Sequence, residues 1–285
     1  MNDEQFVELR DGDRRMAGIL HLPTRGTPPF PVVIYCPGKN GERYEVHRLA
    51  VKLARLLADE GVAMLRFDYC GLGLSDGHYY DMTTSSKVSN VLKAWDEVRR
   101  RPELDSGRTA YLGFSDGARI ALMAAERSGV DRVVLWSPLF YEFGGAHPSG
   151  KPPRFTRHAL DKEKLVMPWA GLWISMEFYR DLQELDKEAV LRAYEGRSLL
   201  VYGDDDPLIR EEFEKVRTDS YAIYRGDAGH EVCAVQGAGH LFTSRLFEER
   251  IMDVTGQWLK RELRASETGE GGICDVETSP VWPQP

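Results

Sequence analysis

Two pentapeptides of the form Gly-x-Ser-x-Gly stand in this chain: Gly113-Phe114-Ser115-Asp116-Gly117 and Gly73-Leu74-Ser75-Asp76-Gly77. The chemistry open to such a motif is nucleophilic attack by serine, where a sharp strand-to-helix turn lifts the hydroxyl above a sheet. A serine hydroxyl is a weak nucleophile at neutral pH. It needs a histidine to accept its proton and a carboxylate to orient that histidine. Context separates the two matches. Thr109–Gly113 reads as a strand and Ala118-Arg119-Ile120-Ala121-Leu122 as the opening of a helix, so Ser115 lies on the required turn. The helix N-terminus also favours negative charge developing beside it. Ser75 instead follows a Gly-rich loop and precedes His78-Tyr79-Tyr80-Asp81, with no apolar helix. It is expected to be a loop residue.

The base must come from seven histidines: His21, His47, His78, His147, His158, His230 and His240. His21 falls in an early strand, His47 at a helix start, and His147 and His158 in an aromatic-rich insertion. His230 and His240 each follow glycine. Reactive groups gather at the carboxyl ends of parallel strands. His240 follows the last expected strand, whereas His230 precedes it and sits at the opposite end. His240 is therefore the expected base. For the acid, Ser198–Gly203 runs into Asp204-Asp205-Asp206-Pro207, which puts three aspartates at the carboxyl end of one strand. The pattern alone leaves the three open.

These residues need a scaffold. Strands are predicted near Gln5–Leu9 and Met16–Leu22, with Asp11-Gly12 as the hairpin turn. Further strands are predicted at Pro31–Cys36, Val62–Phe67, Thr109–Gly113, Arg132–Trp136, Ser198–Gly203 and Glu231–Val235. Helical spacing of apolar residues predicts helices at His47–Glu60, Lys87–Arg100 and from Asp116 to about Ser128, and a final one carrying Phe247, Ile251, Val254 and Trp258. Strand and helix alternating in this rhythm imply an α/β fold with a mostly parallel sheet covered on both faces. The rhythm breaks after Pro138. The stretch that follows is rich in aromatics, including Phe140, Tyr141, Phe143, Phe155, Trp169, Trp173, Phe178 and Tyr179. It reads as an inserted helical cap, either lining a ligand site or packing as an ordinary excursion. The expected organisation is core at 1–138, cap at 139–195, core at 196–265 and a poorly ordered Gly/Glu/Pro-rich tail at 266–285.

Composition narrows the partners. Lys plus Arg is 37 and Asp plus Glu is 45, a net charge of −8. An acidic chain argues against nucleic acid as the main partner. Cys36, Cys70, Cys233 and Cys274 show no CxxC pairing and read as reduced thiols. The polar beginning predicts no signal peptide and no run of residues predicts a membrane span, so cytoplasmic is the default expectation. No cofactor or metal is called for.

At this point the chain resembles the α/β-hydrolase superfamily up to about Ala265. It is most similar to the small-cap group of bacterial esterases, serine-aminopeptidase-like hydrolases and acyl-thioester hydrolases. The resemblance rests on five segments in order. They are Tyr35-Cys36-Pro37-Gly38, the stretch Leu65-Arg66-Phe67-Asp68-Tyr69-Cys70-Gly71-Leu72-Gly73-Leu74-Ser75-Asp76-Gly77, the elbow at Ser115, Gly203-Asp204-Asp205-Asp206, and Gly237-Ala238-Gly239-His240. The resemblance implies an eight-stranded sheet with a small cap. It also implies that Asp206, last in its Gly-x-x-Asp pattern, is the acid. It implies an oxyanion hole made by the backbone N–H groups of Asp116 and Lys39, with Pro37 where the family usually has histidine. The expected activity is a carboxylesterase or thioesterase acting through an acyl-serine. An acyltransferase, a C–C bond hydrolase, and a non-catalytic binder that keeps the fold are the alternatives. The weak likeness of Asp81-Met82-Thr83-Thr84 to fatty-acyl transferases keeps acyl chains among the substrates. The aromatics Phe140, Trp169, Trp173 and Tyr179 are expected to line an apolar acyl or aryl pocket. Lys151, Arg154 and Arg157 are candidates to meet an anionic carrier such as CoA or an acyl-carrier group.

Overall fold

Val32, Ile34 and Cys36 pack into one hydrophobic core, and Val33 and Tyr35 into another. That alternation along one strand is the mark of a sheet buried on both faces. The computed structural model describes residues 3–141, 154–216, 221–227 and 229–264. Its main sheet has eight strands. In chain order they are β1 (Asp3–Asp11), β2 (Arg14–Leu22), β3 (Phe30–Cys36), β4 (Ala63–Phe67), β5 (Leu104–Phe114), β6 (Arg132–Trp136), then, beyond an insert, β10 (Arg197–Gly203) and β11 (His230–Val235). The spatial order is β1-β2-β4-β3-β5-β6-β10-β11. β1 and β2 form an antiparallel hairpin, β2 pairs antiparallel with β4, and every later pairing is parallel.

Helices cover both faces. On one lie α1 (Leu49–Asp59) and α8 (Arg245–Glu262), which bury Leu49, Leu53, Leu57, Ile251 and Trp258 against Val33 and Tyr35. Trp136 on β6 also donates from Nε1 to Thr255 Oγ1 of α8 at 2.9 Å. On the other face lie α2 (Thr84–Arg100) and α3 (Asp116–Ser128), with Val88, Val91, Ile120 and Leu122 inward. α2 begins three residues before the apolar spacing suggests. A capping box starts it there: Ser86 N–H donates to Thr83 Oγ1 at 3.1 Å, and Thr83 N–H donates back to Ser86 Oγ at 2.9 Å. Between β10 and β11 the chain adds α6 (Pro207–Val216) and α7 (Ala222–Arg225), which the apolar spacing did not signal.

The insert differs from the all-helical expectation. Its described part holds a three-stranded antiparallel sheet, β7 (Thr156–Arg157), β8 (Leu165–Trp169) and β9 (Leu172–Ser175), followed by α4 (Met176–Glu184) and α5 (Lys187–Ala193). The β8–β9 connection is Ala170-Gly171, with φ of 45° and 81°. Two successive left-handed residues match strand twist and close a tight hairpin. Alanine is a poor advertisement for that conformation, so the turn does not declare itself. The insert is tied to the core where Ser85 N–H, at the start of α2, donates to Asp181 Oδ2 of α4 at 2.9 Å. Residues 266–285, expected to form a loose tail, lie outside the described residues, as do Phe143, His147, Lys151 and Cys274. No helix among the described residues is long and apolar enough to cross a membrane.

Candidate active site

β5 delivers Ser115 into a sharp turn before α3. Its backbone stands at φ 55° and ψ −120°, a conformation that costs about 1–3 kcal/mol for a residue with a side chain. Neighbours hold it there. Ser115 N–H donates to Trp136 O at 2.8 Å, and Ser115 O accepts from Ala118 N–H at 3.1 Å and from Leu139 N–H at 3.2 Å. The flanking glycines permit the close approach. A Cβ on Gly113 would overlap the carbonyl of Gly117, and one on Gly117 would overlap the carbonyls of Cys36 and Pro37. The motif's spacing is therefore a packing requirement between β5, α3 and the loop after β3.

Three distant side chains meet at this turn. Ser115 Oγ lies 3.0 Å from His240 Nε2, and His240 Nδ1 lies 2.7 Å from Asp206 Oδ2. Asp206 is buried, and its other oxygen accepts from Leu208 N–H at 2.9 Å and Ile209 N–H at 3.3 Å at the start of α6. One carboxylate thus caps a helix and orients an imidazole. The three aspartates left open by the pattern have separate positions. Asp204 Oδ1 accepts from Gly237 N–H at 2.6 Å and ties down the loop that carries His240. Asp205 is exposed, and its N–H donates to Ala238 O at 3.0 Å. The imidazole also rests on Phe114, with ring centroids 5.3 Å apart.

The competing residues are placed elsewhere. Ser75 Oγ donates to Asp68 O at 2.8 Å and accepts from Ala17 N–H at 3.0 Å, which stitches a loop to β2. His230 Nδ1 lies 2.7 Å from Ser198 Oγ at the amino ends of β10 and β11. Burial lowers its pKa.

Behind the turn is a group of buried charged side chains, and of these residues sequence reasoning singled out only Asp116, for its backbone N–H. Lys87 of α2 is 0% exposed, and its Nζ donates to Asp116 Oδ2 at 2.8 Å, to Lys39 O at 2.9 Å and to Gly38 O at 3.4 Å. Asp116 is paired on its other oxygen with Arg119. Burial alone would raise the Asp116 pKa, but Arg119 and Lys87 outweigh it and hold the carboxyl well below the usual range. Arg119 also donates to Leu139 O at 3.0 Å. Glu45, at φ 55°, accepts from Gly38 N–H at 3.0 Å and from Tyr35 Oη at 2.8 Å. Burial raises its pKa, opposed by those hydrogen bonds. Lys87 was legible in one respect: it falls in the apolar stripe of α2, four residues before Val91 and seven before Ala94. Glu45 carried no such signal.

A cavity of about 250 Å³ opens over Ser115 and His240. Its lining joins the apolar Phe114, Leu139, Tyr141, Trp169, Leu208 and Leu241 to the charged Lys39, Glu45, Glu211, Glu212 and Lys215. Of the four aromatics expected there, Trp169 lines it. The other three do not. Phe140 is fully buried in the core, with its N–H donating to Glu212 Oε1 at 2.7 Å. Tyr179 packs inside the insert, with its hydroxyl 3.6 Å from Met167 Sδ. Trp173 is 42% exposed and sits edge-on to His158. Trp173 pairs with Pro168, the residue before Trp169, and successive strand residues point to opposite faces, so Trp173 faces away from the side that Trp169 occupies. Lys39 Nζ lies 4.6 Å from the Trp169 ring centroid and 4.8 Å from that of Phe178. Arg154 and Arg157 are exposed and not among the cavity's lining residues. Among the described residues no cluster of side chains suited to a metal ion occurs.

The chain resembles known proteins at two levels. A family model described as Esterase FrsA-like matches residues 4–139, a little under half of the chain. That span includes Lys39, Lys87 and Ser115 but neither Asp206 nor His240. Esterase FrsA from Yersinia enterocolitica is 34% identical over 119 residues, which cover 42% of this chain and 27% of that protein. The Yersinia pestis protein of the same name is 35% identical over the same length. The match thus spans about a quarter of the length of these curated relatives. Among solved structures, Est1E from Butyrivibrio proteoclasticus with bound ferulic acid superposes with a TM-score of 0.74 at 21% identity, covering 90% of this chain and 99% of that one. Dienelactone hydrolase from Anabaena variabilis superposes at 0.62 with 18% identity, covering 92% and 99%.

Proposed function

From the premise that this chain is an α/β hydrolase by fold, we propose that it is a serine esterase that cleaves an ester of an apolar acyl or aryl group through an acyl-serine. One observation carries the reading: Ser115, His240 and Asp206 form a continuous chain of contacts at 3.0 and 2.7 Å on the rim of the sheet. Ser115 Oγ attacks the substrate carbonyl while its proton passes to His240 Nε2. The tetrahedral oxyanion is met by the N–H groups of Asp116 and Lys39. The imidazolium then returns the proton to the leaving group, and Asp206 stabilises it from the Nδ1 side. Water enters, gives a proton to His240 and attacks the acyl carbon. The acid leaves and Ser115 regains its hydrogen.

The substrate class follows from the cavity. Beside the charged Lys39, Glu211, Glu212 and Lys215, its lining has an apolar part, Trp169, Tyr141, Leu139, Leu208 and Leu241, which suits apolar or aromatic acyl groups. Est1E, which binds ferulic acid, is a precedent for an aromatic acid on this fold. The similarity to Esterase FrsA supports ester hydrolysis. The test is a chain-length and aryl panel of p-nitrophenyl esters beside acyl-CoA thioesters, run on wild type and Ser115→Ala. The variant is expected to lose about 10⁴–10⁶ in kcat with unchanged folding. Wild-type turnover by Ser115→Ala ends the reading. Preference for CoA thioesters would move the leaving group to a thiol carrier, and product analysis with added alcohols would expose acyl transfer.

A further inference from the structure

We propose that Lys87 is a positioning residue that sets the oxyanion hole, by tying both of its backbone donors to one buried ammonium. The inference deepens the serine-esterase reading and rests on it. The two donor N–H groups belong to segments far apart in the chain, Lys39 after β3 and Asp116 at the start of α3. Lys87 Nζ touches both segments, donating to Gly38 O at 3.4 Å, Lys39 O at 2.9 Å and Asp116 Oδ2 at 2.8 Å. A trans peptide is planar, with its C=O and N–H pointing oppositely. Pinning Gly38 O toward α2 therefore turns the Lys39 N–H of the same peptide away from α2. Gly38, Lys39 and Ser115 line the same cavity. The preceding peptide is held from the other side by Glu45, which accepts the Gly38 N–H at 3.0 Å.

Charge neutralisation alone does not account for Lys87. Asp116 already has Arg119 as a partner. Burying a second cation completely carries a desolvation penalty that an apolar residue in the stripe of α2 would avoid. What Lys87 adds, and Arg119 does not, is the link to the carbonyls of residues 38 and 39. The ring of Tyr69, 5.0 Å from Nζ, completes its enclosure. Oxyanion donors act through being fixed before the reaction, and a single ammonium gripping both segments fixes their separation.

The test is Lys87→Met in the full chain, which keeps side-chain length and removes the three hydrogen bonds. On a p-nitrophenyl ester, kcat should fall about 10- to 300-fold, below or within the loss of about 10²–10³ that removing a whole oxyanion donor brings, with KM within about twofold. Affinity for an aryl trifluoromethyl ketone, which forms a tetrahedral adduct on the serine, should fall by the same factor as kcat/KM. Affinity for the isosteric ether, which has no carbonyl, should stay unchanged. Asp116→Asn, which keeps the backbone donor but removes the carboxylate that anchors Lys87, should show the same pairing and carries the test should Lys87→Met not fold. A folded variant with wild-type kcat, or a kcat loss without matching loss of ketone affinity, overturns the inference. Fluorophosphonate labelling separates the two levels. Labelled Ser115 with unchanged Lys87→Met kinetics removes this inference alone, whereas unlabelled wild type removes the serine reading beneath it.

Discussion

Asp206→Asn is the substitution whose outcome the geometry constrains most tightly. One carboxylate oxygen accepts two helix-start N–H groups, from Leu208 and Ile209, and the other faces His240 Nδ1 at 2.7 Å. An asparagine has one acceptor and one donor end. With its oxygen toward Leu208 and Ile209, its NH₂ meets Nδ1 and the imidazole must carry its proton on Nε2. That nitrogen then cannot take the proton of Ser115. The flipped amide would serve His240 but set an NH₂ against two N–H donors. It would lose two hydrogen bonds, each worth about 1 kcal/mol net, and keep one to the ring. The difference favours the unproductive arrangement by about 1–2 kcal/mol. That preference accounts for about 5- to 30-fold; with the loss of the carboxylate charge that stabilises the imidazolium, the expected kcat loss is about 10³–10⁴. Stability should fall by less than about 2 kcal/mol, since the helix cap survives. Steady-state kinetics on a p-nitrophenyl ester, with urea unfolding alongside, measures both. Asp204→Asn is the control. Its oxygen can still accept from Gly237 N–H, so kcat should stay within about fivefold. A folded Asp206→Asn within tenfold of wild type, or an equal loss in Asp204→Asn, refutes the assignment of the acid.

Three further outcomes follow from separate parts of the molecule. Ser75→Ala should leave kcat within about threefold and fluorophosphonate labelling intact. It should cost about 1–2 kcal/mol in urea unfolding, through the lost bonds to Asp68 O and Ala17 N–H; loss of labelling would reverse the choice of nucleophile. His21 is fully buried against Arg66, and burial, then the charge of Arg66, push its pKa down to about 4. The unfolded chain takes up that proton near pH 6.5, so stability is complete above about 6.5 and is lost as pH falls toward 4. Discounted for screening beside Glu4, the loss is on the order of 2 kcal/mol, and His21→Gln should flatten that part of the stability–pH curve. An unchanged curve in the variant would contradict it. Trp169→Ala should raise KM for an aryl ester about tenfold or more, because the ring forms a cavity wall, whereas Trp173→Ala should change it less than twofold. Equal effects would show that the cavity has been drawn in the wrong place.

What was legible in the chain was legible for local reasons. A two-sided buried strand reads as an unbroken apolar run, so β3, β4 and β6 lie within a residue or two of their expected bounds. The serine elbow is local as well, because the glycines at 113 and 117 answer contacts made within one turn and the adjoining loop. His240 and the trio of aspartates were located by reasoning about which ends of strands share a rim, and the structure brings His240 and Asp206 to Ser115. The division of labour among Asp204, Asp205 and Asp206 was not local. It depends on the start of α6 and on the loop at Gly237, which no window around residue 205 contains.

The cavity walls show where such reading stops. Aromatic content picked out Phe140 and Tyr179, which are spent on packing, and Trp173, which is exposed beside His158, while Leu139, Leu208 and Leu241 join Trp169 in the lining. A side chain's direction is set by strand phase and by hairpin register. For Trp173 both hang on an Ala-Gly turn that, from its residue types, did not announce a strand reversal. The buried charges are harder still. Lys87, Asp116 and Arg119 come from α2 and α3 and neutralise one another in the interior, while Glu45, in the loop after β3, is held by Tyr35 and the Gly38 N–H. Such groups satisfy one another across elements that are distant in sequence, so their partners become visible when the fold assembles them. The elbow at Ser115 was therefore readable from its neighbours in the chain, while the buried charges behind it are a property of tertiary contact.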